Sequence, residues 1–106
     1  MLYELRHYKV KKGKMKQWLI LMEKEIIPFQ VSQGMVVAAC FTAVKDKNLF
    51  LWLRRFKNEG ERKKLYRKVY ESDQWKSVLR PKIDKVLDTS SIAVTDILPA
   101  PFSMLQ

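Results

Sequence analysis

Apolar and polar positions alternate over residues 2–10, a stretch rich in Tyr, Leu and Val, and this two-residue period predicts a strand. After Lys11-Lys12-Gly13 the period changes: Met15, Trp18, Leu19, Met22 and Ile26 recur at the spacing of one helical face, with Pro28 expected to stop the helix. Ile20, Leu21 and Ile27 widen that stripe beyond a minimal core face, leaving part of the helix for a pocket or a partner. Gly34 opens an apolar run over residues 35–44, and Asp46-Lys47-Asn48 supplies turn chemistry before residues 49–56, so two strands joined as a hairpin are expected. Asn58 and Glu61 have the spacing of a capping box and head a helix whose apolar residues are Leu65, Tyr66, Val69 and Tyr70. Ser72 is placed to cap another helix, with Trp75, Val78, Leu79, Ile83, Val86 and Leu87 as its apolar positions and Pro81 expected to bend or split it. A last strand is expected over residues 92–98. The tail 99–106, with prolines at 99 and 101, reads as an extended, ordered and docked arm.

The order strand, helix, strand, strand, helices, strand is the split βαβ arrangement of the ferredoxin-like topology. Right-handed crossovers put the helices on one face of a four-stranded antiparallel sheet, an α+β sandwich. No internal repeat or linker divides the chain, so residues 1–106 are read as one domain. The two sheet faces are then the informative feature. Leu49, Leu51 and Leu53 form one face of the third strand, and Phe50, Trp52, Arg54 and Phe56 form the other. A sheet with helices on one side should be polar on the other if it met water. Both faces are apolar here, so the open one needs a cover, and a second copy of the chain is the expected cover. Tyr3 and Leu5 are assigned to the helix side. Glu4, Arg6, Phe50, Trp52, Arg54 and Phe56 are assigned to the outward face as the dimer interface, with the charges hydrogen-bonded within or around it.

Composition narrows the class. With 106 residues, 47% of them hydrophobic, and only four prolines and three glycines, the chain falls in the range of a single ordered domain. A domain this short has a marginal core, which favours association. The net charge of +10 raises the question of a nucleic-acid or acidic-membrane partner. Its lysines and arginines lie largely opposite the apolar stripes of the helices, the arrangement of a solvated face. The chain has one cysteine, Cys40, and one histidine, His7, which exclude an intrachain disulfide and a zinc-type cluster; no metal and no cofactor is expected. No leader pattern opens the sequence, and charges interrupt every apolar run before the roughly 18 residues a membrane span requires. A soluble, cytoplasmic protein is expected.

Candidate chemistry is sparse. His7 is the one side chain that ordinarily titrates near neutrality, and is therefore the imidazole candidate for a general base, against a structural or exposed role on its strand. Arg6 and Arg54 are candidates to hold a carboxylate or a polarised oxygen, against an interface network with Glu4. Cys40, in an apolar strand, reads as a small buried hydrophobe. The alternation of Phe50, Trp52 and Phe56 raises the RNA-recognition use of this topology, but the glycine-containing aromatic signature of that module is missing and dimer burial would use the same face.

The opening Tyr3-Glu4-Leu5-Arg6 with Tyr8, then Gly13-Lys14, Leu51-Trp52, Arg62, Asp73 with Trp75, and the closing Pro99-Ala100-Pro101-Phe102-Ser103 resemble the NIPSNAP family in order and spacing over nearly the whole chain. The resemblance implies a dimeric α+β barrel, in which two ferredoxin-like subunits oppose their sheets, related to the antibiotic-biosynthesis monooxygenase group. It implies no reaction and no catalytic set. Lys12 departs from the proline found before the glycine in many members, and the absence of a leader separates the chain from the mitochondrial address of longer eukaryotic relatives. By analogy with the architecture of these relatives, Trp18, Met22, Phe41, Tyr66 and Trp75 are candidates to line a cavity for a small hydrophobic ligand, although each is also a core residue by periodicity. Two readings follow: binding or turnover of a small hydrophobic molecule, and a non-enzymatic protein-interaction module.

Overall fold

The strand and helix patterns condense into an α+β structure, a computed structural model that describes residues 1–106. Its elements are β1 (Leu2–Val10), α1 (Met15–Leu21), α2 (Ile27–Ser32), β2 (Val36–Thr42), β3 (Leu49–Phe56), α3 (Glu59–Tyr70), α4 (Arg80–Val86) and β4 (Leu87–Ile97). The four strands form one antiparallel sheet in the order β2-β3-β1-β4, with the helices packed on one side. This is the ferredoxin-like arrangement. No helix is long and apolar enough to cross a membrane.

Neither proline stops its helix. The chain runs from α1 through a π-helical stretch, Met22–Ile26, into α2, where Pro28 occupies the first turn. A second π-helical stretch, Gln74–Leu79, leads into α4 and Pro81 in the same way. In a regular α-helix each proline ring would press on the carbonyl four residues back, that of Lys24 or Ser77, and would leave it without a donor. Both carbonyls lie in the widened π segments, where that pairing is not used, so the helix continues. Other local signals behave as the residue chemistry dictates. Asn58 Oδ1 accepts the Glu61 N–H at 2.9 Å to cap α3, and Ser72 Oγ accepts the Trp75 N–H at 3.1 Å. Leu87 leaves the helical stripe: it opens β4, which starts five residues before the expected 92.

The assignment of sheet faces is corrected by the structure. Glu4, Arg6, Phe50, Trp52, Arg54 and Phe56, expected outward, point toward the helices and are buried. Phe50 and Trp52 join Tyr8, Trp18, Met22 and Leu79 in the main apolar cluster, and Phe56 joins Met35, Leu65 and Val69 in a smaller one. Alternation separates two sets of side chains, but the bulkier aromatic set takes the deeper space under the helices. Leu49, Leu51 and Leu53 face outward with Leu5 and His7, all only half-buried. Tyr3 shares that outward face and is buried by the tail, its hydroxyl donating to the Gln106 carbonyl at 2.9 Å. The tail turns at Ala100–Ser103 rather than running straight, and it covers only this end of the face.

Phe41 also changes sides. The pairing of β2 with β3 shifts between Val37 and Ala39, so Val37 sits opposite inward Arg54 whereas Ala39 and Phe41 sit opposite outward Leu53 and Leu51. One inserted residue reverses the parity of the rest of the strand. Cys40, expected buried, is exposed on this edge strand. The face assignment predicts that Phe50→Ala lowers the free energy of unfolding by about 3–5 kcal/mol, whereas Val44→Ala, at a 99% exposed position, changes it by less than about 0.5 kcal/mol. Urea denaturation checks both; a Phe50 variant as stable as the parent would refute the inward placement.

Candidate functional site

Between the two apolar clusters lies a polar layer built on adjacent strands. Glu4 on β1 pairs in register with Arg54 on β3, and Arg6 pairs with Trp52. Glu4 and Arg54 are fully buried and Arg6 is 9% exposed. Arg54 donates from Nη2 to Glu4 Oε1 at 2.7 Å and from Nε to the same oxygen at 3.1 Å. Its Nη1 donates to Gln30 Oε1 at 2.9 Å and to the Tyr70 hydroxyl at 2.7 Å. Trp52, Phe56, Tyr66 and Tyr70 surround the guanidinium, with ring centroids 5.0 to 5.8 Å away. A cation enclosed by aromatic faces is held by their quadrupoles where water is excluded.

Arg6 donates from Nε to the Tyr8 hydroxyl at 2.8 Å and from Nη1 to Glu4 Oε1 at 3.2 Å and the Tyr66 hydroxyl at 3.3 Å. The Tyr66 hydroxyl donates to Glu4 Oε2. Arg62 reaches the same oxygen at 3.3 Å from the surface, but it also pairs with Glu59 at 2.5 Å and Asp96 at 2.7 Å. Burial alone would raise the Glu4 pKa; the charge of Arg54, hydrogen bonds from Tyr66 and Arg54, and the charge of Arg6 outweigh burial and hold it below the ordinary value. Tyr66 is pushed up to about 12 by burial and then by Glu4, and burial also raises Tyr8. Both tyrosines are protonated donors at neutral pH.

Beside this layer a cavity of about 140 Å³ lies between helices and sheet. Trp18, Met22, Ile26, Trp75 and Ile83 form its apolar walls, and Arg6, Tyr8 and Tyr70 its polar one. The π-helical stretches supply Met22, Ile26 and Trp75. Of the expected lining residues, Trp18, Met22 and Trp75 are therefore at the cavity. Tyr66 is held in the Glu4 network instead, and Phe41 is on the far side of the sheet. His7 also lies on the outward face, beside Leu51 and Ala93, so the three candidate groups do not converge: Arg6 lines the cavity, Arg54 lies behind it, and His7 points away. Sequence reasoning missed Tyr8 and Tyr70. The available signal was the i, i+4 pair Tyr66 and Tyr70, which puts two hydroxyls on one face of α3 opposite the arginines.

The Glu4 network sets a pH dependence. A glutamate whose folded-state pKa is depressed stabilises the fold fully above its unfolded value of about 4.3, and that contribution is lost as pH falls through the lower folded value. Glu4→Gln should cost about 3–5 kcal/mol at pH 7 because it strands buried guanidiniums. The gap to the parent protein should narrow between about pH 5 and pH 3, as read by urea midpoints; a gap independent of pH would contradict the network.

The NIPSNAP family model matches residues 3–104. Protein Atu4242 from Agrobacterium tumefaciens is 26% identical, superposes with a TM-score of 0.89 and is covered over 100% of both chains. A NIPSNAP family protein, Atu5224, from A. tumefaciens strain C58 is 22% identical, with a TM-score of 0.86 and coverage of 99% of this chain and 98% of that one. An antibiotic biosynthesis monooxygenase shares the fold at 16% identity, with a TM-score of 0.69 over 95% of this chain and 100% of its own. No curated protein matches the sequence. The match over almost its full length shows that the chain belongs to the NIPSNAP family.

Proposed function

We propose that the chain acts as a homodimer that binds a small, largely hydrophobic molecule in the cavity between its helices and sheet. The observation that carries this reading is the cavity itself: apolar on most sides, with a few polar groups gathered on one wall. That combination is the usual composition of a small-molecule site, where apolar walls supply affinity and convergent polar groups fix orientation. A cavity of about 150 Å³ holds a benzene-sized body, so a single ring is the fitting scale. Binding is favoured over acid–base turnover because His7 lies on the other face of the sheet and Glu4 is held ionised by several donors.

Dimer formation is supported by the outward face. Leu5, Leu49, Leu51 and Leu53 stand there with exposed Phe41, and the tail covers only the end near Tyr3. Apolar surface of this kind is stabilised by removal from water, and a self-complementary contact between two copies achieves that for both. The interface proposed here thus uses the leucine set.

Leu51→Glu should elute as a folded monomer in sizing chromatography with light scattering, whereas Lys63→Glu on the exposed side of α3 should leave the assembly unchanged. A folded Leu51→Glu dimer would remove the proposed interface. For the cavity, a panel of single-ring aromatic compounds, neutral and anionic, should raise the melting temperature, by an amount corresponding to about 2.7 kcal/mol at 100 times the dissociation constant. No shift across the whole panel would count against a ligand site.

A further inference from the structure

Within the reading of this cavity as a ligand site, on which the inference rests, we infer that the ligand is a small anion with an aromatic or branched apolar body, its charged oxygens held by Arg6, Tyr8 and Tyr70. Three independent observations converge on this class.

The first is charge. Arg6 and Arg54 are buried together, and Glu4 is the one carboxylate buried with them. Arg62, the other cation that reaches Glu4, is matched at the rim by Glu59 and Asp96. The buried groups therefore number two cations to one carboxylate, and the carboxylates that balance the wider network, Glu59 and Asp96, stand half-exposed at Arg62 and not at Arg6. A buried cation without a counter-charge is costly, and an anion beside it removes that cost.

The second is the inventory of donors. Arg6 uses Nε and Nη1 on Tyr8, Glu4 and Tyr66, and its Nη2 finds no partner within the protein, although the side chain lines the cavity. The Tyr8 and Tyr70 hydroxyls each accept a guanidinium N–H, at 2.8 and 2.7 Å, so each keeps its own proton to donate, and neither proton has an acceptor in the protein. The fully buried side-chain atoms without a partner are Trp18 Nε1, Trp52 Nε1 and Gln30 Nε2, and all three are donors. Trp18 and Trp52 line this cavity. The site is rich in donors and short of acceptors, which a carboxylate or enolate supplies and an ammonium does not. Arg6 Nη2 and the two phenol hydroxyls are separate donors that together suit the two oxygens of one carboxylate.

The third is shape. The cavity is about 140 Å³, and Trp18, Met22, Ile26, Trp75 and Ile83 surround the space away from Arg6. A body of roughly one ring fills that volume. Arg80 stands at the rim with its side chain 51% exposed, and its charge is answered there by Asp84 at 2.8 Å, so the positive charge facing the space is that of Arg6.

Benzoate and its neutral counterpart benzamide separate the possibilities, measured by calorimetry on the full chain at pH 7 and low salt. Benzoate should bind at least about tenfold more tightly, the scale of a charge-assisted hydrogen bond. Arg6→Gln should bring benzoate down to the affinity of benzamide, and Tyr70→Phe, which removes one hydroxyl and keeps the ring, should weaken benzoate several-fold and benzamide little. If Arg6→Gln fails to fold, the Tyr70 variant carries the test. Benzamide binding as tightly as benzoate would overturn the anion class and leave the ligand site standing, whereas no binding of either compound would overturn both.

Discussion

Two guanidiniums and one carboxylate are sealed between a sheet and its helices, and much of the local architecture answers to that fact. Each buried charge must be paired and hydrogen-bonded, or the fold gives up several kcal/mol. The antiparallel register meets the first demand by setting Glu4 directly across from Arg54. Helix α3 meets the second: Tyr66 and Tyr70, one turn apart, present hydroxyls to Glu4 and to Arg54. Gln30 in α2 contributes its carbonyl oxygen. The polar layer thereby ties α2 and α3 to the sheet and lies between the two apolar clusters of the core. Arg6, Tyr8 and Tyr70 form the side of this layer that meets the cavity, and Arg6 Nη2 has no partner within the protein.

The cavity owes its walls to an unusual helix construction used twice. Each long helical segment carries a proline that an ordinary α-helix would not pass, and each passes it through a π-helical stretch. A π turn rotates and displaces the side chains that follow it, and such turns concentrate at functional sites. Here they carry Met22, Ile26 and Trp75, three of the apolar walls. Proline in these helices is thus linked to the shape of the space beneath them.

The element order, the bounds of β1 and β3, the α3 cap and the α+β class were legible in the sequence, because hydrophobic period and cap chemistry are local. Which face of the sheet the helices cover was not. Alternation divides Phe50, Trp52, Arg54 and Phe56 from Leu49, Leu51 and Leu53, but it does not say which set goes inward, and the arginine and Glu4 argued for the exposed side. Their burial depends on partners from α2 and α3 that no strand pattern announces. Phe41 was misplaced for a different reason, since the β2 bulge reverses parity without a glycine or proline to mark it. The same geometry that removes His7 from the site brings in Tyr8, which alternates with it on β1.

Both sheet faces are apolar after the exchange of residues: the leucine face is the one proposed to meet a second copy, and the aromatic face holds the buried charges. Nitrogen-15 NMR of the arginine side chains reports on those charges one guanidinium at a time. Buried guanidiniums exchange their protons slowly, so the Nε–H signals of Arg6 and Arg54 should persist at neutral pH when those of surface arginines fade, and added benzoate should move the Arg6 signal. Rapid exchange at both arginines, with no response at Arg6, would mean that neither guanidinium is buried and that Arg6 meets no anion.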